Sequence, residues 1–248
     1  MPQLVTNIAA YHFVNLTELS SWRERILERA STHELKGTVL LSAEGINLFL
    51  AGASDAIEGF LGWLCAHTEF AKLEVKHSTS ETVPFKRLKV KIKNEIIRMN
   101  HPTVAPQAGR APAVDAQTAE RWITQGHDDN GRPVVLLDTR NDFEVQAGTF
   151  KGALSWQISR FSEFPQAALA NAEQLKDKAV ISFCTGGIRC EKAAIYMRSI
   201  GLNDVYQLDG GILKYFEVTG GTGFEGTCFV FDERETLDPA LRSAPLES

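Results

Sequence analysis

The stretch that decides the fold is Ala179-Val180-Ile181-Ser182-Phe183-Cys184-Thr185-Gly186-Gly187-Ile188-Arg189-Cys190-Glu191-Lys192. Its first five residues form an apolar run that predicts a buried strand, and Lys192-Ala193-Ala194-Ile195-Tyr196-Met197 continues in a helical pattern. A cysteine therefore stands where a strand ends and a helix begins. Thr185, Gly186, Gly187 and Ile188 fill the turn, and the two glycines let backbone N–H groups point inward. The helix N-terminus brings a partial positive charge, and Arg189 brings a full one. Such surroundings lower a thiol's pKa and favour the thiolate, which is the nucleophilic form. Cys184 and Arg189 are the candidate catalytic residues, with Thr185, Gly186, Gly187, Ile188 and Cys190 as the active-site loop. A lone strand-end cysteine is more often a packed core residue. The glycine pair, the arginine five residues on and the strand–loop–helix frame together point to a site. Cys190 has two readings, as a thiol that resolves an oxidised Cys184 or as packing beneath the loop.

Moving outward, Pro133-Val134-Val135-Leu136-Leu137-Asp138 is a continuous apolar strand, as expected in a parallel sheet covered on both faces. It ends in Asp138-Thr139-Arg140, with Phe143-Glu144 beyond. Functional groups gather at the C-terminal edge of such sheets, so Asp138 and Arg140 are candidates to support the cysteine loop. An ion pair that merely holds the strand end explains them equally well. A helix is expected from Asp115 or Ala116 through Ala119, Trp122 and Ile123, another near 166–175, and a short strand at Asp204–Leu208 before Asp209-Gly210-Gly211. Phe161 and Phe164 lie in a polar-aromatic loop, where they can pack in the core.

Thr103 to Pro112, with two prolines and a glycine, is the best linker. Before it, strands at Ile8–Val14, Gly37–Leu41, Ile46–Leu50 and Leu73–Lys76 alternate with helices over about 18–32 and from Ser54 or Asp55. Thr17 is the expected cap of the first helix. The order β-α-β-β-α-β predicts a ferredoxin-like domain. Phe85 to Lys93 then alternates with period two. Leu88, Val90 and Ile92 face one way, and Arg87, Lys89, Lys91 and Lys93 face the other. That row reads either as an edge strand guarded by cations or as a face that binds a polyanion, most naturally nucleic acid. The boundaries are thus a ferredoxin-like domain over 1–100, a linker over 101–112, a catalytic domain over 113–220 and a tail over 221–248.

The 248 residues carry a net charge of −5. The charge is uneven: residues 1–100 hold 12 Lys/Arg and 11 Asp/Glu, and the remainder hold 14 and 20. An acidic total therefore leaves room for a local basic docking patch. No apolar run is long enough to span a membrane, so no membrane partner is expected. The opening residues lack a basic and apolar leader, and four scattered cysteines make no disulfide framework, so a cytoplasmic location is expected. No paired C-x-x-C clusters suggest a structural metal site.

Residues 133–216 resemble a rhodanese domain through Leu137-Asp138-Thr139-Arg140, Glu144, Gly152-Ala153, the Cys184–Arg189 loop and Leu208-Asp209-Gly210-Gly211-Ile212. Thr149 departs from the pattern, since many rhodaneses have His after the glycine. Adding Gly37 to Asn47, the Cys184–Lys192 string and Cys228-Phe229-Val230-Phe231-Asp232, nearly the whole chain resembles the rhodanese-related tRNA uridine hydroxylases. The resemblance implies an acylphosphatase-like, ferredoxin-like α+β domain followed by a rhodanese-like parallel α/β domain. It also implies hydroxylation at carbon 5 of the wobble uridine in the tRNA anticodon region, with molecular oxygen as co-substrate and Cys184 essential. Under this resemblance Phe161 or Phe164 could stack on the substrate base instead of packing in the core. Many members continue into a cysteine-rich tail. Cys228 is the last cysteine here, so whatever that tail does is expected to be missing.

Three activities compete. A sulfurtransferase would carry a persulfide on Cys184, stabilised by loop N–H groups. A cysteine–arginine phosphatase fits less well, because four residues separate Cys184 from Arg189 where the rhodanese-like dual-specificity phosphatases have five. The uridine hydroxylase is the reading that the resemblance implies. No flavin, haem or non-haem iron motif is evident, so the sequence names no cofactor.

Overall fold

The computed structural model describes residues 4–244. The chain divides into two compact units, one running to Arg98 with Asp232–Arg234 added, the other comprising Met99–Phe231 and the residues from Glu235 on.

In the first unit, β1 (Val5–Phe13), α1 (Leu19–Thr32), β2 (Lys36–Ser42), β3 (Gly45–Gly52), α2 (Ser54–Cys65) and β4 (Glu74–Ser80) follow the expected order. A fifth strand, β5 (Leu88–Ile92), completes a sheet ordered β4-β1-β3-β2-β5. Neighbours are antiparallel except β5, which runs parallel to β2 at the sheet edge. Trp22, Ile26 and Ala30 of α1 and Ile57, Phe60 and Leu64 of α2 recur at helical spacing and are buried. They meet Ile8, Ala10, Val39, Leu41, Leu48 and Leu50 from alternate positions on the strands.

Three details differ from the sequence expectations. Thr17 does not cap α1; Glu18 precedes the helix in a left-handed conformation at φ 51°, with no side-chain cap. Ala53 stands before α2, so Ser54 is already helical. Ile92 does not share the burial of Leu88 and Val90 but is 40% exposed. It is the last residue of an edge strand, with a neighbour on one side only. The strand edge is partly covered, because Arg23 of α1 donates from Nε to the Val90 carbonyl at 3.3 Å. The motif Ala43-Glu44-Gly45-Ile46-Asn47 has a local purpose. Glu44 Oε1 accepts the Ile96 N–H at 2.8 Å, and Asn47 Nδ2 donates to the Ile96 carbonyl at 3.3 Å. Both backbone groups of a buried residue after β5 are thereby satisfied.

The second unit contains β6 (Ala113–Val114), α3 (Ala116–Gln125), β7 (Val134–Asp138), α4 (Asp142–Val145), β8 (Gly148–Phe150), β9 (Leu154–Ser155) and α5 (Phe164–Asn171). They are followed by β10 (Ala179–Phe183), α6 (Ile188–Ser199), β11 (Val205–Leu208) and α7 (Gly211–Thr219). The third helix opens at Ala116, within the expected start, and Asp115 caps it, accepting the Thr118 N–H at 2.8 Å. The sheet order is β6-β11-β10-β7-β9 and every pair is parallel. The central strand β10 is buried along its whole length, which is why its sequence is an unbroken apolar run rather than an alternation. Beyond α7, β12 (Phe224–Gly226) pairs with β8, and β13 (Cys228–Phe229) pairs with β14 (Thr236–Leu237). Residues 103–112 pack within this unit: Val104, Pro106 and Ala111 are buried, and Arg110 pairs with Glu191 and Asp209, each at 3.3 Å. Among the described residues no helix is long and apolar enough to cross a membrane.

Candidate active site

The C-terminal ends of β7 and β10 lie side by side, with Asp138 opposite Phe183 in the register. Thr139 joins them, donating to the Phe183 carbonyl through its N–H at 3.0 Å and its hydroxyl at 2.8 Å. The chain then turns through Cys184–Gly187 into α6. Gly187 sits at φ 98°, a left-handed conformation that points its N–H at Cys184 Sγ, 3.2 Å away. The loop carbonyls point the opposite way. Those of Cys184 and Thr185 accept the N–H groups of Ile212 and Leu213, in the first turn of α7, at 2.9 and 3.1 Å. N–H groups thus converge on sulfur while α7 holds the carbonyls.

This arrangement explains the Asp209-Gly210-Gly211 motif. Gly211 has φ 68°, and a Cβ there would stand 2.5 Å from the Cys184 carbonyl oxygen and 2.6 Å from the Gly187 nitrogen. Both obstacles are backbone and neither can swing aside. Gly211→Ala is expected to cost roughly 2–4 kcal/mol, from backbone strain plus overpacking, and to weaken the loop's hold on sulfur. Thermal melting together with thiol titration checks this. A variant unchanged in both would show that the loop does not lean on α7.

Cys184 is fully buried. Burial, the largest influence, would push its thiol up. The Cys190 thiol, the Arg189 charge and the N–H groups of Cys190 and Arg189 outweigh it and bring the thiol down to about 5. The thiolate is therefore present at neutral pH and is lost as pH falls through about 5. By linkage, the same shift adds stability that is fully present above the ordinary thiol range and disappears on acidification through that value. Thiolate absorbance of the folded protein is expected to titrate near 5 in a step that Cys184→Ser removes. A step confined to the ordinary range near 9 would contradict this.

Arg189 is buried but does not turn its fork on the sulfur. Its Nη1 and Nη2 donate to the two carboxylate oxygens of Glu144 at 2.5 and 2.7 Å. Burial alone would lower the guanidinium's pKa, but the hydrogen bonds and charge of Glu144 push it up instead. Arg189 is thereby fixed and positive. Glu144 is in turn held through Oε2 by the Asn141 N–H at 3.1 Å.

Asp138 and Arg140 form a separate buried pair. Arg140 donates from Nε to Asp138 Oδ1 at 2.9 Å, and from Nη2 to Asp138 Oδ2 and the Gly148 carbonyl, both at 2.6 Å. Thr149, in place of the expected His, donates its hydroxyl to Asp138 Oδ2 at 2.8 Å. The pair ties β7 to β8 beneath the site. Cys190 donates its S–H to the Gly187 carbonyl at 3.0 Å, packed under the loop. Cys228 is also buried, 3.9 Å from the Thr185 hydroxyl, and burial pushes its thiol up to about 11 despite the lowering influence of Arg140. It is chemically quiet where Cys184 is primed.

Phe161 and Phe164 are buried, so neither offers a face for stacking. Phe143, Phe229 and Phe231 border the loop instead. The sequence signals were Phe143 beside Glu144, and phenylalanines at alternate positions 229 and 231. Arg87, Lys89, Lys91 and Lys93 belong to the first unit. Lys89 is half-buried, and Lys91 within the outer strand and Arg87 and Lys93 flanking it are exposed. Among the described residues no three His, Cys, Asp or Glu side chains cluster so as to hold a metal ion.

Residues 5–96 match the UPF0176 acylphosphatase-like domain, and residues 108–217 match the rhodanese-like domain. The chain is therefore α/β overall, an acylphosphatase-like domain followed by a rhodanese-like one. Two Bordetella proteins named tRNA uridine(34) hydroxylase are similar over almost the entire chain. That of Bordetella pertussis is 63% identical, covering 96% of this chain and 97% of its own. That of Bordetella petrii is 64% identical, covering 98% and 96%. A protein of the same name from Cupriavidus taiwanensis is 55% identical, covering 97% of this chain and 85% of its own. With such relatives matched from end to end, the chain belongs to the tRNA uridine(34) hydroxylase family.

Proposed function

We propose that this chain hydroxylates carbon 5 of uridine 34, in the anticodon region of tRNA, with Cys184 as nucleophile. The observation that carries the reading is a buried thiolate, held by the Gly187 N–H beside a fixed Arg189, in a chain whose relatives bear that activity's name. Addition of the thiolate to carbon 6 of uracil makes carbon 5 electron-rich. Dioxygen supplies the oxygen atom bonded there, and two electrons from an external reductant carry the second oxygen to water. Loss of the carbon 5 proton and departure of the thiolate then restore the ring and free Cys184. The uridine is single-stranded in its loop and can be splayed out at modest cost. All four cysteines are free, which suits a cytoplasmic enzyme. Nucleoside mass spectrometry of tRNA from cells with and without the protein tests the reading. One added oxygen on uridine 34 supports it, whereas exchange of sulfur for oxygen would select the sulfurtransferase.

We assign residues 1–100 to tRNA docking, 101–112 to the connection, 113–220 to catalysis and 221–248 to a C-terminal tail. Lys89 and Lys91 lie on the edge strand and Arg87 and Lys93 flank it, with Arg87, Lys91 and Lys93 exposed. Replacing Lys89, Lys91 and Lys93 with Gln is expected to weaken tRNA binding and to lower the slope of log affinity against log salt by up to about 3. The melting temperature should hold, and activity should recover at high tRNA concentration. Unchanged affinity with increased light scattering would instead make the lysines guards of the sheet edge.

A further inference from the structure

Phe143 and Phe231 are 47% and 53% exposed, an uncommon placement for phenylalanine, and they stand together. The Phe143 and Phe229 ring centroids are 5.1 Å apart with planes at 89°, and those of Phe229 and Phe231 are 5.3 Å apart at 78°. Phe143 and Phe231 are 6.3 Å apart at 86°. Three nearly perpendicular rings make a corner, with Phe143 and Phe231 as its open walls and half-buried Phe229 as its base. The corner is joined to the cysteine loop at three points. The Arg189 guanidinium lies 6.0 Å from the Phe231 centroid. The Phe229 carbonyl accepts the Thr185 hydroxyl at 3.3 Å. Phe143 directly precedes Glu144, which grips Arg189.

We propose that this corner is a stacking subsite for the nucleobase next to the target uridine in the single-stranded loop of tRNA. The inference rests on the hydroxylase reading above. A base laid on one wall presents its edge to the face of the other, the perpendicular geometry that aromatic groups favour. Extruding the uridine strips its neighbour of a stacking partner, and an aromatic wall replaces that partner regardless of base identity. Two exposed rings are far too small a patch for a stable protein interface, which needs about 1,000 Å². Contact with Thr185 and Arg189, which flank and follow Cys184 in its loop, favours a nucleotide beside the uridine as the occupant.

The test uses the full chain and an RNA hairpin bearing the anticodon loop, with 2-aminopurine beside uridine 34. Wild type is expected to quench the probe and to hydroxylate the hairpin. Phe143→Ala and Phe231→Ala should each lose quenching and weaken hairpin binding roughly 5- to 150-fold, raising KM more than they lower kcat. Phe231→Trp should retain both properties, and the thiolate titration should be unaltered in all three. Alanine variants that bind and quench like wild type overturn the subsite while leaving the hydroxylase reading intact. The same holds if they alter self-association but not RNA binding, since the corner then serves a second copy of the chain. A wild-type protein that adds no oxygen to the hairpin overturns both.

Discussion

Cys184→Ser is expected to reduce tRNA hydroxylation by a factor on the order of 10³ or more, to the limit of detection, with the fold intact. A serine hydroxyl fills nearly the same space as the thiol and can still accept the Gly187 N–H that meets sulfur at 3.2 Å. What it cannot do is ionise. The surroundings that bring a thiol down to about 5 leave an alcohol protonated throughout the physiological range. Because α7 holds the Cys184 and Thr185 carbonyls through backbone bonds, the loop has no need of sulfur to keep its shape. Activity should therefore vanish while the melting temperature moves by no more than a few degrees. The measurement is 5-hydroxyuridine in tRNA from cells lacking the endogenous enzyme and complemented with the variant. Near wild-type hydroxylation would remove the covalent step. Loss of both activity and fold would show instead that Cys184 is a packing residue.

The sheet was legible in the sequence because its strands differ in kind. Alternation marked the edge strand at Leu88–Ile92, and the unbroken run at Ala179–Phe183 marked a strand buried on both faces. The cysteine loop was legible because glycines, thiol and arginine are adjacent in the chain. What was not legible came from distance. Glu144 meets Arg189 across 45 residues, and only the fold reveals that the arginine's fork is occupied by a carboxylate. Gly211 mattered for the atoms behind it, the Cys184 carbonyl and the Gly187 nitrogen, which no local pattern encodes. Which phenylalanines face outward was not legible for a related reason. Phe161 and Phe164 sit in a polar stretch yet fold inward, whereas Phe143 and Phe231 sit among ordinary neighbours yet face out. Helix starts were off by a residue because Glu18 and Ala53 supply backbone geometry without a capping side chain.

Glu144→Ala is expected to have the largest effect on stability, about 3–5 kcal/mol, through a charge it does not itself carry. Removing the carboxylate leaves the Arg189 guanidinium buried with neither of its two hydrogen bonds to Glu144. The mirror change, Arg189→Met, strands the carboxylate and should cost a similar amount. Combining Glu144→Ala with Arg189→Met removes both charges, so the double variant should be more stable than the sum of the single losses predicts. Denaturant midpoints of the four proteins measure that coupling, and strict additivity would mean that the pair is not a unit. Activity follows a different rule. Arg189→Lys keeps the charge near sulfur but loses the planar fork that engages both Glu144 oxygens. The thiol should still titrate below its ordinary range, because the backbone N–H groups remain. The start of α6 should nevertheless shift, and a displacement of about 1 Å at a reacting atom costs on the order of 10²-fold in rate. A lysine variant with a low thiol pKa and a slow reaction would assign Arg189 to positioning. One that matched wild type would show that point charge alone suffices, and the Glu144 clamp would then serve the fold and not the chemistry.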